Sequence, residues 1–445
     1  MGIRGYVNAE ARDVKLRDTE PGWGSLLKDK TSGAAMMHHD KDPVRSGMAT
    51  ALLHARPRRW PVAVLTALGV VLALLTAATA FYMLKPISWT GAGVLGVAAF
   101  FFPLHLLFVT ILAGVLAWIA WRKRADVAAA LLGAIAAATV IMALSPVVAI
   151  WRLARAEGVP LSLSDYARNG MHINDGAPEP ARTIEYGIAR DGTRLLLDAW
   201  LPGGSNGGRK PVVVKIHGGG WIAGTRGMAN DWNRWLNERG YAVFDVEYRM
   251  PPPQRWQDEV GDVKCALGWV VANADKYGLD RSHISAMGFS AGGHLAMLAA
   301  YSTDDPALPP SCDVPSVPIR AVINLYGPSD LPLGYRSSGS LDYSRECLTT
   351  YIGGTPAQFP DRYQVLSPIS HIGARTPPTI TFLGRSDRIV TLEQAGELQT
   401  ALARAGVVHP TWLLPATDHG FDFNWGGFNT QFARAKVEQF LREHG

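Results

Sequence analysis

Ala286-Met287-Gly288-Phe289-Ser290-Ala291-Gly292-Gly293-His294 is the stretch on which the reading of this chain turns. A short apolar run enters a Gly-x-Ser-x-Gly turn and passes directly into a helical segment, Leu295 to Tyr301. Strand, sharp turn and helix in that order lift a serine hydroxyl to the top of a sheet on a strained backbone. Gly288 and Gly292 flank the serine because such a turn leaves no room for side chains. The helix that follows aims its N-terminal N–H groups at the place where negative charge would develop. The pattern recurs by chance, so the reading depends on partners elsewhere in the chain.

The surrounding sequence places those partners. Thr183 to Ala189 and Thr193 to Leu201 flank Arg190-Asp191-Gly192, a hairpin signal. Pro211 to Ile216, Tyr241 to Val246, Ser282 to Met287, Ile319 to Tyr326, Pro378 to Leu383 and Pro410 to Leu414 read as further strands. Helical stretches separate them, among them Met228 to Arg239, Gln257 to Tyr277, Leu392 to Ala405 and Asn429 to Glu443. Strands alternating with helices predict a mostly parallel sheet covered on both faces, with its site at the strands' C-terminal edge.

A neutral serine hydroxyl needs a base to remove its proton and a third group to orient that base. In such a sheet the acid follows the serine in the chain and the histidine comes last. Asp387, in Gly384-Arg385-Ser386-Asp387, follows one strand; His419, in Asp418-His419-Gly420, follows the last. Asp330 is a rival acid, and Asp387 could instead cap a turn. Asp418 adjoins the base too closely to bond its Nδ1. His409 opens a strand, while His371 and His294 read as structural. His217-Gly218-Gly219-Gly220-Trp221 ends a strand before the first helix, where bare N–H groups can approach an oxyanion. The hole is expected from the N–H groups of Gly219, Gly220 and Ala291. Gly218, His217 and Trp221 are expected to support that loop, with His217 pinning it by hydrogen bonding.

From about Thr183 onward these residues resemble the α/β-hydrolase superfamily, in particular its hormone-sensitive-lipase-like and feruloyl-esterase/formamidase-like carboxylesterases. Asp245-Val246-Glu247-Tyr248-Arg249, Asp262-Val263-Lys264 and Ser367-Pro368-Ile369 carry the resemblance together with the motifs above. It implies an α/β-hydrolase fold and Ser290, Asp387 and His419 as a triad. It also implies cleavage of carboxylic esters through an acyl-enzyme, with no metal or organic cofactor. Asp262 and Tyr248-Arg249 would be structural. Phe289 stands where many relatives carry Asp or Glu, which leaves the subfamily open. An amide hydrolase on the same scaffold and a non-catalytic membrane-bound binding protein are the competing readings.

The N-terminal third falls outside that resemblance. Val62 to Leu84, Ile87 to Trp121 and Val127 to Ile150 are apolar runs without formal charge, each long enough to supply the roughly 20 residues that cross a bilayer. Pro103 and His105 sit within the second run, and Pro146 is expected to kink the end of the third. The expected organisation is therefore a disordered cytoplasmic tail (1–60), a three-helix transmembrane region (61–151), a linker (152–182) and the hydrolase domain (183–445). Arg56, Arg58 and Arg59 precede the first run, and Arg122-Lys123-Arg124 joins the second to the third. The positive-inside rule then puts the catalytic domain outside the cytoplasm, although Arg152 and Arg155 lie on the disfavoured side.

The net charge of +5 is explained by these membrane-flanking residues, and no basic tract with interleaved aromatics points to nucleic acid. The expected partners are a small-molecule or lipid ester and a membrane. Three cysteines with no metal-ligand spacing exclude a zinc site of the usual kinds. Cys312 and Cys347, before and within a segment (331–360) expected to cap the pocket, could pair in an oxidising compartment or remain thiols. Cys265, beside Ala266 and Leu267, reads as a buried and inert thiol.

Overall fold

The computed structural model describes residues 60–85, 94–172, 174, 182–203, 208–253 and 255–445. The tail expected over 1–60, with Arg56, Arg58 and Arg59, lies outside the described residues but for the first residue of a helix. The chain opens with α1 (Trp60–Leu84), α2 (Val94–Phe101), α3 (Leu106–Arg122), α4 (Asp126–Ala156) and α5 (Leu163–Asn169). It continues with β1 (Arg182–Ile188), β2 (Arg194–Trp200), β3 (Lys210–Ile216), α6 (Asn230–Glu238), β4 (Ala242–Val246), α7 (Asp258–Ala272), α8 (Ala274–Tyr277), β5 (Leu279–Phe289) and α9 (Ala291–Tyr301). The last part holds β6 (Ala321–Leu325), α10 (Leu331–Ser337), α11 (Leu341–Ile352), α12 (Pro360–Val365), β7 (Thr379–Gly384), α13 (Leu392–Arg404), β8 (Thr411–Leu414) and α14 (Phe428–His444).

Eight strands form one sheet in the order β1-β2-β4-β3-β5-β6-β7-β8. β2 runs antiparallel to both β1 and β4, and every other pair is parallel. This is the mostly parallel sheet that the strand–helix alternation predicts and the α/β-hydrolase architecture that the resemblance implies. Alternate strand residues feed two cores, as a side-chain period of two requires. Val212, Val214, Ile216, Phe244 and Ala286 join one core with α7 and α9; Val213, Val243 and Met287 join the other with α6 and α14. β5, longest at 11 residues, occupies the middle and delivers its C-terminal end to the site.

Among the described residues, three helical segments are long and apolar enough to cross a membrane: Val62–Leu84, Pro103–Arg122 and Asp126–Ala156. The second is shorter than the run from Ile87 suggests. Pro103 stands at the first position of a 3-10 turn (Pro103–His105), and Phe102 before it leaves helical geometry at φ −126°, ψ 53°. A proline ring disfavours the helical region in its predecessor, which splits α2 from α3. Pro146 lies inside α4, which continues past it as far as Ala156. At 31 residues α4 exceeds the roughly 20 a bilayer needs, and its last turns bury Ile150 and Ala154 in the core that holds Trp232 and Phe428. The stretch read as a linker carries a helix of its own. Ser162 caps α5 by accepting from the Asp165 N–H at 3.0 Å, Tyr166 stacks on Phe428 at 4.7 Å, and Gln431 bonds both backbone groups of Ser162.

The cysteines pair differently from the expectation. Cys265 and Cys312 form a disulfide, with Cα atoms 5.5 Å apart, and Cys347 is the free, buried thiol. Gly261, Cys265 and Gly268 share one face of α7. A Cβ on Gly261 would meet Ser311 Oγ at 2.6 Å, and one on Gly268 would meet Val314 Cβ at 2.4 Å. The two glycines let residues 309–315 lie flat along the helix, which brings Cys312 to Cys265. Cys347 sits on α11, over Gly220 instead.

Candidate active site

Ser290 occupies φ 53°, ψ −120°, a region that costs a non-glycine residue on the order of 1–3 kcal/mol. Its surroundings over-determine the strain. A Cβ on Gly288 would stand 2.1 Å from the Gly292 carbonyl oxygen, and one on Gly292 would stand 2.2 Å from that of Ile216. The Ser290 N–H donates to the Leu325 carbonyl at 2.9 Å, fixing the turn to the neighbouring strand.

Three distant segments converge there. His419 Nε2 lies 2.9 Å from Ser290 Oγ, and His419 Nδ1 lies 2.8 Å from Asp387 Oδ2. The second oxygen of Asp387 accepts from the backbone N–H groups of Ile389 and Val390, at 2.8 Å each, which fixes the carboxylate's rotation. Asp330 is elsewhere in role: it caps α10 by accepting from the Leu333 N–H at 2.7 Å. His371 bonds the Val365 carbonyl and His409 that of Val407, so neither is brought to the serine.

The glycine loop adopts successive positive φ values at Gly219 (121°), Gly220 (61°) and Trp221 (64°). Gly220 and Trp221 line the same cavity as Ser290, and a Cβ on Gly218 would stand 3.4 Å from Ser290 Cβ. Gly220 has a further constraint, since a Cβ there would approach Cys347 Sγ to 2.7 Å. His217 stacks on Tyr248 with centroids 4.2 Å apart, and its Nδ1 bonds the Gly218 carbonyl at 2.8 Å. Burial pushes its pKa down, so the ring stays neutral and Nδ1 donates. Trp221 stacks on Tyr351 and donates from Nε1 to His294 Nδ1 at 3.1 Å; His294 Nε2 in turn donates to the Leu366 carbonyl at 2.7 Å. Full burial pushes the His294 pKa down to about 4, consistent with the single tautomer this chain of bonds requires. Ala291, the first residue of α9, follows the serine directly.

The cavity above the serine has a volume of about 490 Å³ including its open mouth. The segment expected as a cap is helical, and α10 and α11 supply Leu331, Tyr343, Cys347 and Leu348 to its wall. Burial pushes the Cys347 thiol up to about 11, so it stays protonated and presents a weakly polar surface.

Sequence reasoning missed several supports of the histidine. Tyr326, at φ 44°, sets its ring edge-on to His419 with centroids 4.6 Å apart. Its hydroxyl bonds the buried Asp422, which also accepts from Trp232 Nε1 at 2.9 Å. Burial raises the Asp422 pKa. Arg388 and Asp418, the neighbours of the acid and the base, form an ion pair at 2.9 Å with both side chains fully buried. Adjacency to Asp387 and His419 was the available signal, but it does not reveal that the two segments meet.

The BD-FAE family model matches residues 197–402. The chain is 32% identical over 287 residues to the probable carboxylic ester hydrolase LipM of Mycobacterium tuberculosis, covering 63% of this chain and 62% of that one. It is 31% identical to esterase LipC of the same organism over 59% of this chain and 64% of the relative. The chain thus spans a little under two thirds of the length of these curated relatives. Among solved structures, the apo form of Thermogutta terrifontis esterase 2 matches with a TM-score of 0.50 and 27% identity, over 60% of this chain and 96% of that one. The same esterase phosphonylated by sarin matches with a TM-score of 0.52 and 26% identity, over the same shares. By sheet order and by its solved neighbours the chain has the α/β-hydrolase fold, and the relatives it resembles are carboxylic ester hydrolases.

Proposed function

We propose that this chain is a membrane-anchored serine carboxylesterase that works through an acyl-enzyme. The observation that carries the reading is the line Ser290–His419–Asp387, at 2.9 and 2.8 Å, on a serine held at positive φ. Ser290 Oγ attacks the ester carbonyl while His419 Nε2 takes its proton. Asp387 holds Nδ1–H and stabilises the imidazolium that forms. The oxyanion moves into the cradle of the Gly219, Gly220 and Ala291 N–H groups, each such donor contributing about 3 kcal/mol to the transition state. His419 then protonates the departing alcohol, and a water activated the same way releases the acid. The apolar wall of Leu331, Leu348 and Val390 suits an acyl chain, so we take the substrate to be a small-molecule or lipid ester with an apolar acyl group.

Three spans of 23, 20 and 31 residues support the anchoring. The Cys265–Cys312 disulfide, stable in an oxidising compartment, favours the extracytoplasmic side for the catalytic domain. The extra length of α4 accounts for Arg152 and Arg155, which then lie on exposed turns beyond the bilayer core. Labelling of the full chain by a fluorophosphonate probe tests the chemistry: strong labelling of the native protein and none of Ser290→Ala is expected. Equal labelling of both would overturn the site. A C-terminal tag cut by protease added to intact cells supports the orientation, and protection of the tag refutes it.

A further inference from the structure

Arg388, next to the acid, is fully buried and its guanidinium reaches in two directions. On one side Nη2 donates at 2.9 Å to the backbone carbonyl of Tyr82, 306 residues earlier, in the last turn of α1. That turn carries the negative end of the helix dipole, which favours a cation. Gly96 of α2 completes the socket: a Cβ there would stand 2.6 Å from Nη2 and 2.7 Å from the Tyr82 oxygen. The Phe100 ring lies 6.0 Å from the guanidinium carbon. On the other side is the Asp418 carboxylate. Its Oδ1 accepts from the backbone N–H of Arg388 at 3.2 Å and from that of His419 at 2.8 Å. One carboxylate therefore ties the loop of the acid to the base itself. The loops touch again where the Ser386 N–H donates to the Thr417 carbonyl at 2.9 Å.

We propose that Arg388 is a positioning residue through which α1 and α2 hold Asp387 and His419 in register with Ser290. The proposal rests on the triad reading above. Without the guanidinium, Asp418 is a buried carboxylate that has lost its partner. Its hold on the two backbone N–H groups then competes with its need for a proton or for water. A displacement of about 1 Å at a catalytic group is worth about a hundredfold in rate. The catalytic domain would thus depend on its membrane helices for alignment as well as for location.

The test uses the full-length protein in lipid nanodiscs with a short-chain nitrophenyl ester, comparing Gly96→Val, Arg388→Met, Arg388→Lys and the double variant Gly96→Val/Arg388→Met. Gly96→Val and Arg388→Met are each expected to lower kcat by about a hundredfold with KM within about twofold. Arg388→Lys should recover part of the loss by keeping the charge. The double variant should be no slower than the slower single, because both act through one contact. A kcat near native in either single variant overturns the proposal, and so does a double variant whose losses multiply. Should Arg388→Met fail to fold, the series Gly96→Ala then Gly96→Val decides, since graded loss of kcat at constant KM is expected and a flat series refutes. Turnover surviving in Ser290→Ala would instead remove the triad reading, which this series by itself leaves intact.

Discussion

Cutting the bond between Cys265 and Cys312, by reductant or by Cys312→Ser, should cost stability that can be estimated from the chain. The residues are 47 apart in sequence, so the disulfide closes a loop of that length in the unfolded state. The loop-entropy relation then assigns it about 4 kcal/mol at 25 °C. In a domain of this size about 2 °C accompanies each kcal/mol, so the melting temperature should fall by about 8 °C. The site should keep its activity at low temperature, because the bridge joins α7 to residues 309–315 while the triad lies on loops after β5, β7 and β8. The assay is residual esterase activity and intrinsic fluorescence against temperature, with and without a phosphine reductant. Cys347→Ser serves as the control. No shift on reduction, or mass spectrometry showing residue 265 as an unlinked thiol, would refute both the pairing and the oxidising-compartment argument built on it.

Asp387→Asn should lower kcat by about 10⁴-fold, because the amide favours the wrong imidazole tautomer. Asp330→Asn, at the cap of α10, should leave kcat unchanged and cost at most about 1 kcal/mol in a denaturant titration; reversal of the two results would exchange their roles. His294 has a folded pKa of about 4 against about 6.5 when unfolded. Its contribution is therefore complete above pH 6.5 and lost as pH falls toward 4, by about 3 kcal/mol over that window. His294→Gln keeps a donor and an acceptor without that titration. Its melting temperature should fall less steeply than the native protein's between pH 6.5 and 4, and parallel curves would show that His294 is not held neutral.

Much of the fold and the candidate site was legible in the residues alone. The elbow around Ser290, the glycine loop at 217–221 and the positions of Asp387 and His419 all obey local rules. A strained turn demands glycine, a buried strand demands a short β-branched run, and chain order follows from strand order. Apolar length likewise marked the long helices that are apolar enough to cross a membrane, because length and composition are read from each run separately. The cap was harder to read: the segment 331–360 is rich in Gly, Ser and Tyr, and packing of α10 and α11 over the cavity above Ser290 outweighs that weak propensity. Tertiary structure alone decided that Cys265 meets Cys312 and that Arg388 reaches the carbonyl of Tyr82. Those outcomes are contacts between segments tens to hundreds of residues apart. No local periodicity encodes which of several compatible partners the folded chain brings within bonding distance.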